Sequence, residues 1–194
     1  MLPAFQVEVR RARDLDRDFV EIFLGKRWAP GFFAWLIPLS EDEARLGLAC
    51  TRAFSPRDLL FRLASKHPKL ASRVRLDKTN IKSAYGGLVL TSGFAWKIAA
   101  PGYVAVGDAA GQVKPTTGGG VVYGYRGASI ASQIIVSAFS QKQPDIWREV
   151  TKYQKEWAQK FGLKLYFMKL ARDFLNQLSD KDLERLILYF KQHN

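Results

Sequence analysis

The chain has 194 residues, enough to bury one large core or two small ones, and 47% of them are hydrophobic and 13% aromatic. One cysteine, Cys50, excludes a disulfide framework within the chain, and with only His67 and His193 beside it no metal ligand set is expected. The formal net charge is +12, but the cations are scattered and form no zinc-finger, helix-turn-helix or basic-aromatic RNA-binding pattern, so nucleic acid is not an expected partner.

In chain order, Phe5-Gln6-Val7-Glu8-Val9 alternates apolar and polar as a half-buried strand should. Phe19 to Leu24 makes a second strand ended by Gly25. Ala34 to Leu39 and Ala44 to Cys50 make two more, joined by the acidic turn Ser40-Glu41-Asp42-Glu43. Four consecutive strands with short connections predict a mainly antiparallel sheet rather than a Rossmann repeat. Phe33, Trp35 and Ile37 share one face of the third strand, because strand side chains repeat every second residue. They form either an apolar wall for a ligand or ordinary core; from the residues alone, core is the simpler reading.

Ser55-Pro56-Arg57-Asp58 starts a helix: Ser55 caps it, Pro56 suits its first turn and Asp58 completes a capping-box-like pattern. Pro68 stops it, which leaves His67 as a surface residue at the helix end. Lys82 to Leu90 reads as a strand bent at Gly86-Gly87, and Ser92 to Ala100 leads through Pro101-Gly102 to the next element.

The densest chemistry lies between Gly107 and Gly120, GDAAGQVKPTTGGG. The apolar run Tyr103 to Val106 stops there, and Val121 to Phe139 follows as a helix carrying Gly124, Gly127, Ala128 and Ala131, spaced for close approach of a strand or cofactor. A helix opening after three glycines offers unpaired backbone N–H groups and its positive dipole end to an electron-rich ligand. Asp108 is placed to accept hydrogen bonds from ligand hydroxyls. The plain alternative is a tight turn that Asp108 caps. Tyr123, Tyr125 and Arg126 read as packing or surface residues. Residues 141–144 break the chain. Trp147, Val150, Tyr153, Trp157 and Phe161 then recur at helical steps, a second helix runs from Leu163 to Leu178, and Ser179 to Asp182 caps a third that ends near Phe190. Packing and an interfacial membrane helix explain that stripe equally well.

The order GDAAG, Lys114-Pro115 and a three-glycine run resembles the second flavin-binding motif of FAD enzymes of the p-hydroxybenzoate hydroxylase type. Pro30 to Pro38, followed by Ala44 to Ala49, resembles the aromatic-x-Trp-x-aromatic-Pro signature of the geranylgeranyl reductase family, flavoproteins that saturate isoprenoid double bonds and include digeranylgeranylglycerophospholipid reductases. That family has Tyr and Phe where this chain has Phe33 and Ile37. Ala4-Phe5-Gln6, Asp18 to Glu21 and Phe174 to Leu186 fit the same family, so the resemblance covers nearly the whole chain.

The resemblance implies an α+β fold: a mainly antiparallel substrate sheet at 1–100, a remnant of the FAD-binding domain at 101–142, and a helical region at 143–194. It implies FAD held by Gly107, Asp108, Pro115, Gly118, Gly119 and Gly120, and a geranylgeranyl lipid lined by Phe33, Trp35 and Pro38. It gives no proton donor, so no catalytic residue is assigned. No GxGxxG fingerprint is present, and the chain is therefore expected to be the C-terminal portion of such an enzyme, pairing with an ADP-binding chain or with itself. A non-catalytic lipid- or flavin-binding subunit is the alternative. A flavin monooxygenase or halogenase on the same scaffold is a further one, against which the Trp35 motif argues. With no signal-like segment and no apolar run near the roughly 18 residues that span a bilayer, a cytoplasmic protein is expected, its basic surface drawn peripherally to anionic lipid.

Overall fold

The computed structural model describes residues 1–93, 97–140 and 145–193, without the side chains of residues 146 and 147. The chain divides into two compact units, residues 2–89 with 175–194, and residues 90–174 with Met1.

The first unit is built on a five-stranded sheet of β1 (Leu2–Val9), β2 (Glu21–Phe23), β3 (Ala34–Pro38), β4 (Ala44–Ala49) and β5 (Ile81–Val89), in the order β2-β3-β4-β1-β5. Every neighbouring pair is antiparallel, as the short connections predict. β2 is shorter than the expected Phe19 to Leu24. It is an edge strand with β3 as its one partner, and Phe19 and Val20 lie exposed before it. Alternation buries one face: Val7, Val9, Ala34, Leu36, Leu46 and Leu48 meet Leu59, Leu60 and Leu63 of α1 (Pro56–Lys66). Each Val or Leu among them contributes about 1.5–3 kcal/mol by leaving water.

The capping reading of α1 holds. The Ser55 hydroxyl accepts the Asp58 N–H at 3.3 Å, and Pro56 opens the first turn. His67 ends the helix but is not the surface residue expected. It is half-buried, edge-on between Phe23 (4.8 Å) and Trp28 (5.0 Å), because the loop after β2 folds back over the helix end. Burial, and then the cations of Lys69 and Arg27, hold its pKa below the ordinary 6.5. α5 (Asp180–His193) joins this unit through Asp180, whose carboxylate accepts the backbone N–H groups of Lys26 at 2.6 Å and Arg27 at 3.3 Å.

The second unit carries a small hairpin of β6 (Ala99–Ala100) and β7 (Tyr103–Val104), a 3-10 turn over Gly107–Ala110, and α2 (Val121–Phe139). α3 (Ile146–Trp157), a π-helical turn at Ala158–Gly162 and α4 (Leu163–Gln177) then follow without interruption. Packing accounts for much of the stripe read from the sequence: Val150, Tyr153 and Trp157 are buried with Tyr123, Ile130 and Ala131 of α2, and Phe161 packs at the edge of this core. The expected break at 141–144 lies outside the described residues, as does the Trp147 side chain. Among the described residues no helix is long and apolar enough to cross a membrane. The α+β class with a mainly antiparallel sheet, a strand-loop-helix unit and C-terminal helices is the fold observed.

Candidate functional site: the Gly107–Gly120 loop and the open sheet face

The strand before the loop ends early, at Val104, and the chain turns through Gly107 at φ +63° into the 3-10 turn that bears Asp108. Gly111, at φ +64°, closes that turn by donating to the Asp108 carbonyl at 3.0 Å. A second turn follows: Gly118 N–H donates to the Lys114 carbonyl at 2.8 Å and Lys114 N–H to the Gly119 carbonyl at 3.0 Å. Gly120 then caps α2 with no side-chain oxygen, so the first-turn N–H groups receive no side-chain cap.

Asp108 is exposed and its carboxylate makes no hydrogen bond among the described residues. It lies beside the start of α2: a Cβ added at Gly120 would stand 2.8 Å from Asp108 Oδ1. One free acceptor thus sits at the positive end of a 19-residue helix. A Cβ at Gly107 would meet nothing within 4 Å, so the loop borders open space there. Pro115 is buried, packed so tightly on Gly93 that any Cβ at Gly93 would overlap its ring. Of the six loop residues read as cofactor-binding, Gly107, Asp108 and Gly120 come together at the helix start, Gly118 and Gly119 form the turn before it, and Pro115 supports that turn from behind.

Gln112 was not singled out by the sequence and organises this loop. It is fully buried; its Oε1 accepts the Gly107 N–H at 2.7 Å, and its Nε2 donates to the Tyr153 hydroxyl at 2.5 Å. Burial raises the Tyr153 pKa, which this bond partly opposes, so the phenol stays neutral and available as acceptor. Gly127 makes the arrangement feasible, since a Cβ there would overlap the Gln112 carboxamide. At Gly124 a Cβ would come 3.2 Å from Gly107 Cα. The small residues of α2 therefore admit a side chain and a turn of this chain, where a strand or a cofactor was expected. The available signal was Gly127 itself, because a mid-helix glycine costs about 1 kcal/mol relative to alanine and implies a close neighbour.

In the other unit, the sheet face opposite α1 carries the aromatic motif. Trp35 lies flat across Gly47, where a Cβ would be 2.6 Å from its indole ring, and its Nε1 donates to Gln6 Oε1 at 2.9 Å. Phe33 stands edge-on to Trp35 at 6.0 Å and stacks on Phe32 at 4.2 Å. Next along that face, Arg45 Nη2 meets Glu8 Oε1 at 2.6 Å and Ser83 donates to Glu8 Oε2 at 3.1 Å. The Arg45 bond, then the Ser83 bond, hold the Glu8 carboxyl below its ordinary pKa. The structure joins Phe33 to Trp35 but not to Pro38. Strand alternation groups Pro38 with Ala34 and Leu36, opposite Ala44 on the neighbouring strand.

No protein-family model matches the chain. A digeranylgeranylglycerophospholipid reductase of Methanothrix thermoacetophila is 30% identical over 179 residues, which cover 90% of this chain and 44% of that protein. The crystal structure of a geranylgeranyl bacteriochlorophyll reductase-like protein from Thermoplasma acidophilum superposes with a TM-score of 0.83 at 27% identity, over 95% of this chain and 46% of that one. The flavin-dependent brominase Bmp2 shares the fold, with a TM-score of 0.64 at 19% identity over 97% of this chain and 49% of its own. The chain spans about half the length of the curated relatives it matches. The sheet, the Asp108 loop and these similarities together place the chain in the geranylgeranyl reductase family, of which it matches the C-terminal part.

Proposed function

We propose that this chain is part of an FAD-dependent oxidoreductase that reduces isoprenoid C=C bonds of membrane lipids. The observation that carries this reading is the unpartnered Asp108 carboxylate at the uncapped start of α2, in a loop that borders open space at Gly107. The donor set suits FAD. Asp108 would accept hydrogen bonds from ribityl or ribose hydroxyls, and the uncapped first-turn N–H groups of α2 would face an electron-rich group beside the turn formed by Gly118, Gly119 and Gly120. When bound and reduced, FAD supplies hydride chemistry for one alkene carbon while a proton reaches the other. The chain's own part is to bind, orient and exclude water. Gln112 fixes the loop that presents Asp108, Pro115 backs its second turn, and Phe33 and Trp35 offer an apolar wall to a geranylgeranyl chain. No side chain is assigned as proton donor. The chain works on this reading with ADP-binding elements supplied by further sequence or a separate chain, and next to an anionic membrane that holds its substrate.

The alternative reading is a lipid- or flavin-binding subunit without catalysis of its own. Titration of the chain with FAD, followed by flavin fluorescence, tests the first reading. Saturable binding weakened about tenfold or more by Asp108→Ala is expected, the loss of one hydrogen bond to a charged group. Binding indifferent to Asp108 overturns the site. Failure of the complete reduced protein to saturate any double bond of a geranylgeranyl lipid overturns the reaction.

A further inference from the structure

α4 buries one side and presents the other as a broad apolar stripe. Leu165 is buried in the core of its unit. Leu163, Tyr166, Phe167, Leu170 and Phe174 are 45–69% exposed, and at helical spacing they fall within an arc of about 100° on the side away from Leu165. Five large side chains held in water on one helix face are costly unless something covers them.

The charges beside the stripe bear on what covers it. Between Glu156 and Asp173 the sequence has no acidic residue, while Lys160, Lys164 and Lys169 fall in the same stretch; Arg172, also in it, is half-buried on the side away from the stripe. Lys164 and Lys169 lie on opposite rims of the stripe. Lys169 pairs with Asp173 at 2.5 Å and Lys160 with Glu156 at 2.5 Å, whereas Lys164 has no ion pair among the described residues. An apolar face with aromatic side chains, lysines at both rims and an excess of positive charge matches an anionic lipid surface. The rings enter the acyl boundary, and the lysine stems lie along it with their ammonium groups among the phosphates. We propose that α4 is a membrane-docking helix, lying in the interface with Leu163, Tyr166, Phe167, Leu170 and Phe174 toward the acyl chains. This deepens the lipid-reductase reading by naming the element that brings the protein to its substrate, but it stands on α4 and is tested without catalysis.

The test is co-sedimentation of the chain with vesicles of phosphatidylcholine alone and of phosphatidylcholine with phosphatidylglycerol. Binding is expected with the anionic vesicles and is expected to fall as salt rises. The double change Phe167→Ser with Phe174→Ser should reduce it at least tenfold, and Lys164→Glu, at an exposed position, several-fold. Phe139→Ser, on the exposed side of α2, should leave it unchanged. Equal binding to both vesicle types, or stripe variants that bind as the parent does, overturns the proposal. So does a dimer in solution that the stripe variants convert to monomer, which would make a second copy the cover. FAD titration of the same variants separates the two readings: loss of vesicle binding in the stripe variants supports α4 docking whether or not the chain binds flavin, and flavin binding weakened by Asp108→Ala supports the flavin site whether or not the chain binds vesicles.

Discussion

Gln112 Nε2 lies 2.5 Å from the Tyr153 hydroxyl while Gln112 Oε1 accepts the Gly107 N–H, so one buried carboxamide ties the loop that carries Asp108 to α3. Asp108 itself is held by no hydrogen bond of its side chain among the described residues, and the position of its carboxylate depends on this tie. Gln112→Leu strands both partners in or near the core, and each unmet group costs about 1–3 kcal/mol. A loss of about 2–4 kcal/mol is expected in chemical denaturation, together with weaker FAD binding if the loop is a flavin site. Gly127→Ala reaches the same end from the other side by overlapping the carboxamide, at about 1–3 kcal/mol.

Gly47 decides how Trp35 lies. With a Cβ 2.6 Å from the indole, Gly47→Ala lifts the ring from the sheet and breaks its bond to Gln6. The face is open, so the ring can swing outward and the stability cost stays near about 1 kcal/mol. The sensitive readout is the Trp35 indole N–H resonance, assigned with Trp35→Phe, which should move toward its free position and exchange faster with water. An unmoved resonance would contradict the flat packing.

His67 gives the fold a pH dependence of known sign. Its folded pKa is lowered by burial between Phe23 and Trp28 and by Lys69 and Arg27, so the unfolded chain binds a proton more readily than the folded one. The stabilisation is complete above pH 6.5 and is lost as pH falls from there through the folded value. Denaturation midpoints should fall over that interval, and His67→Gln should flatten the profile there.

Asp180 secures α5. It accepts two backbone N–H groups from the Lys26-Arg27 turn, next to Gly25 at φ +116°, and stands in the first turn of its helix. Asp180→Ala is expected to cost about 1 kcal/mol, because these groups are exposed and water can replace the carboxylate. The effect should be local: faster hydrogen exchange and proteolysis in α5, with the Val7, Leu46 and Leu60 core unchanged.

Much of the architecture follows from local rules that act within one element. Period-two alternation located β1, β3 and β4, but not the buried face of β3: the simpler reading put Phe33, Trp35 and Ile37 in the core, whereas Ala34 and Leu36 are the residues buried. Ser55-Pro56 set the start of α1, and the three glycines before Val121 set the start of α2, because caps and turns depend on a few adjacent residues. The family was legible too, since the GDAAG loop and the Pro30 to Pro38 motif keep their order along the chain. Tertiary structure decided what depends on residues far apart in sequence. It showed that Gln112, rather than a cofactor, fills the space left by Gly127, and that His67 is enclosed by a loop from another part of the chain. It also separated two stripes that look alike in sequence: Val150, Tyr153 and Trp157 are buried against α2, whereas Phe167 and Phe174 remain in water. Hydrophobic periodicity shows that a helix has an apolar face, but what covers that face is fixed only when distant elements pack.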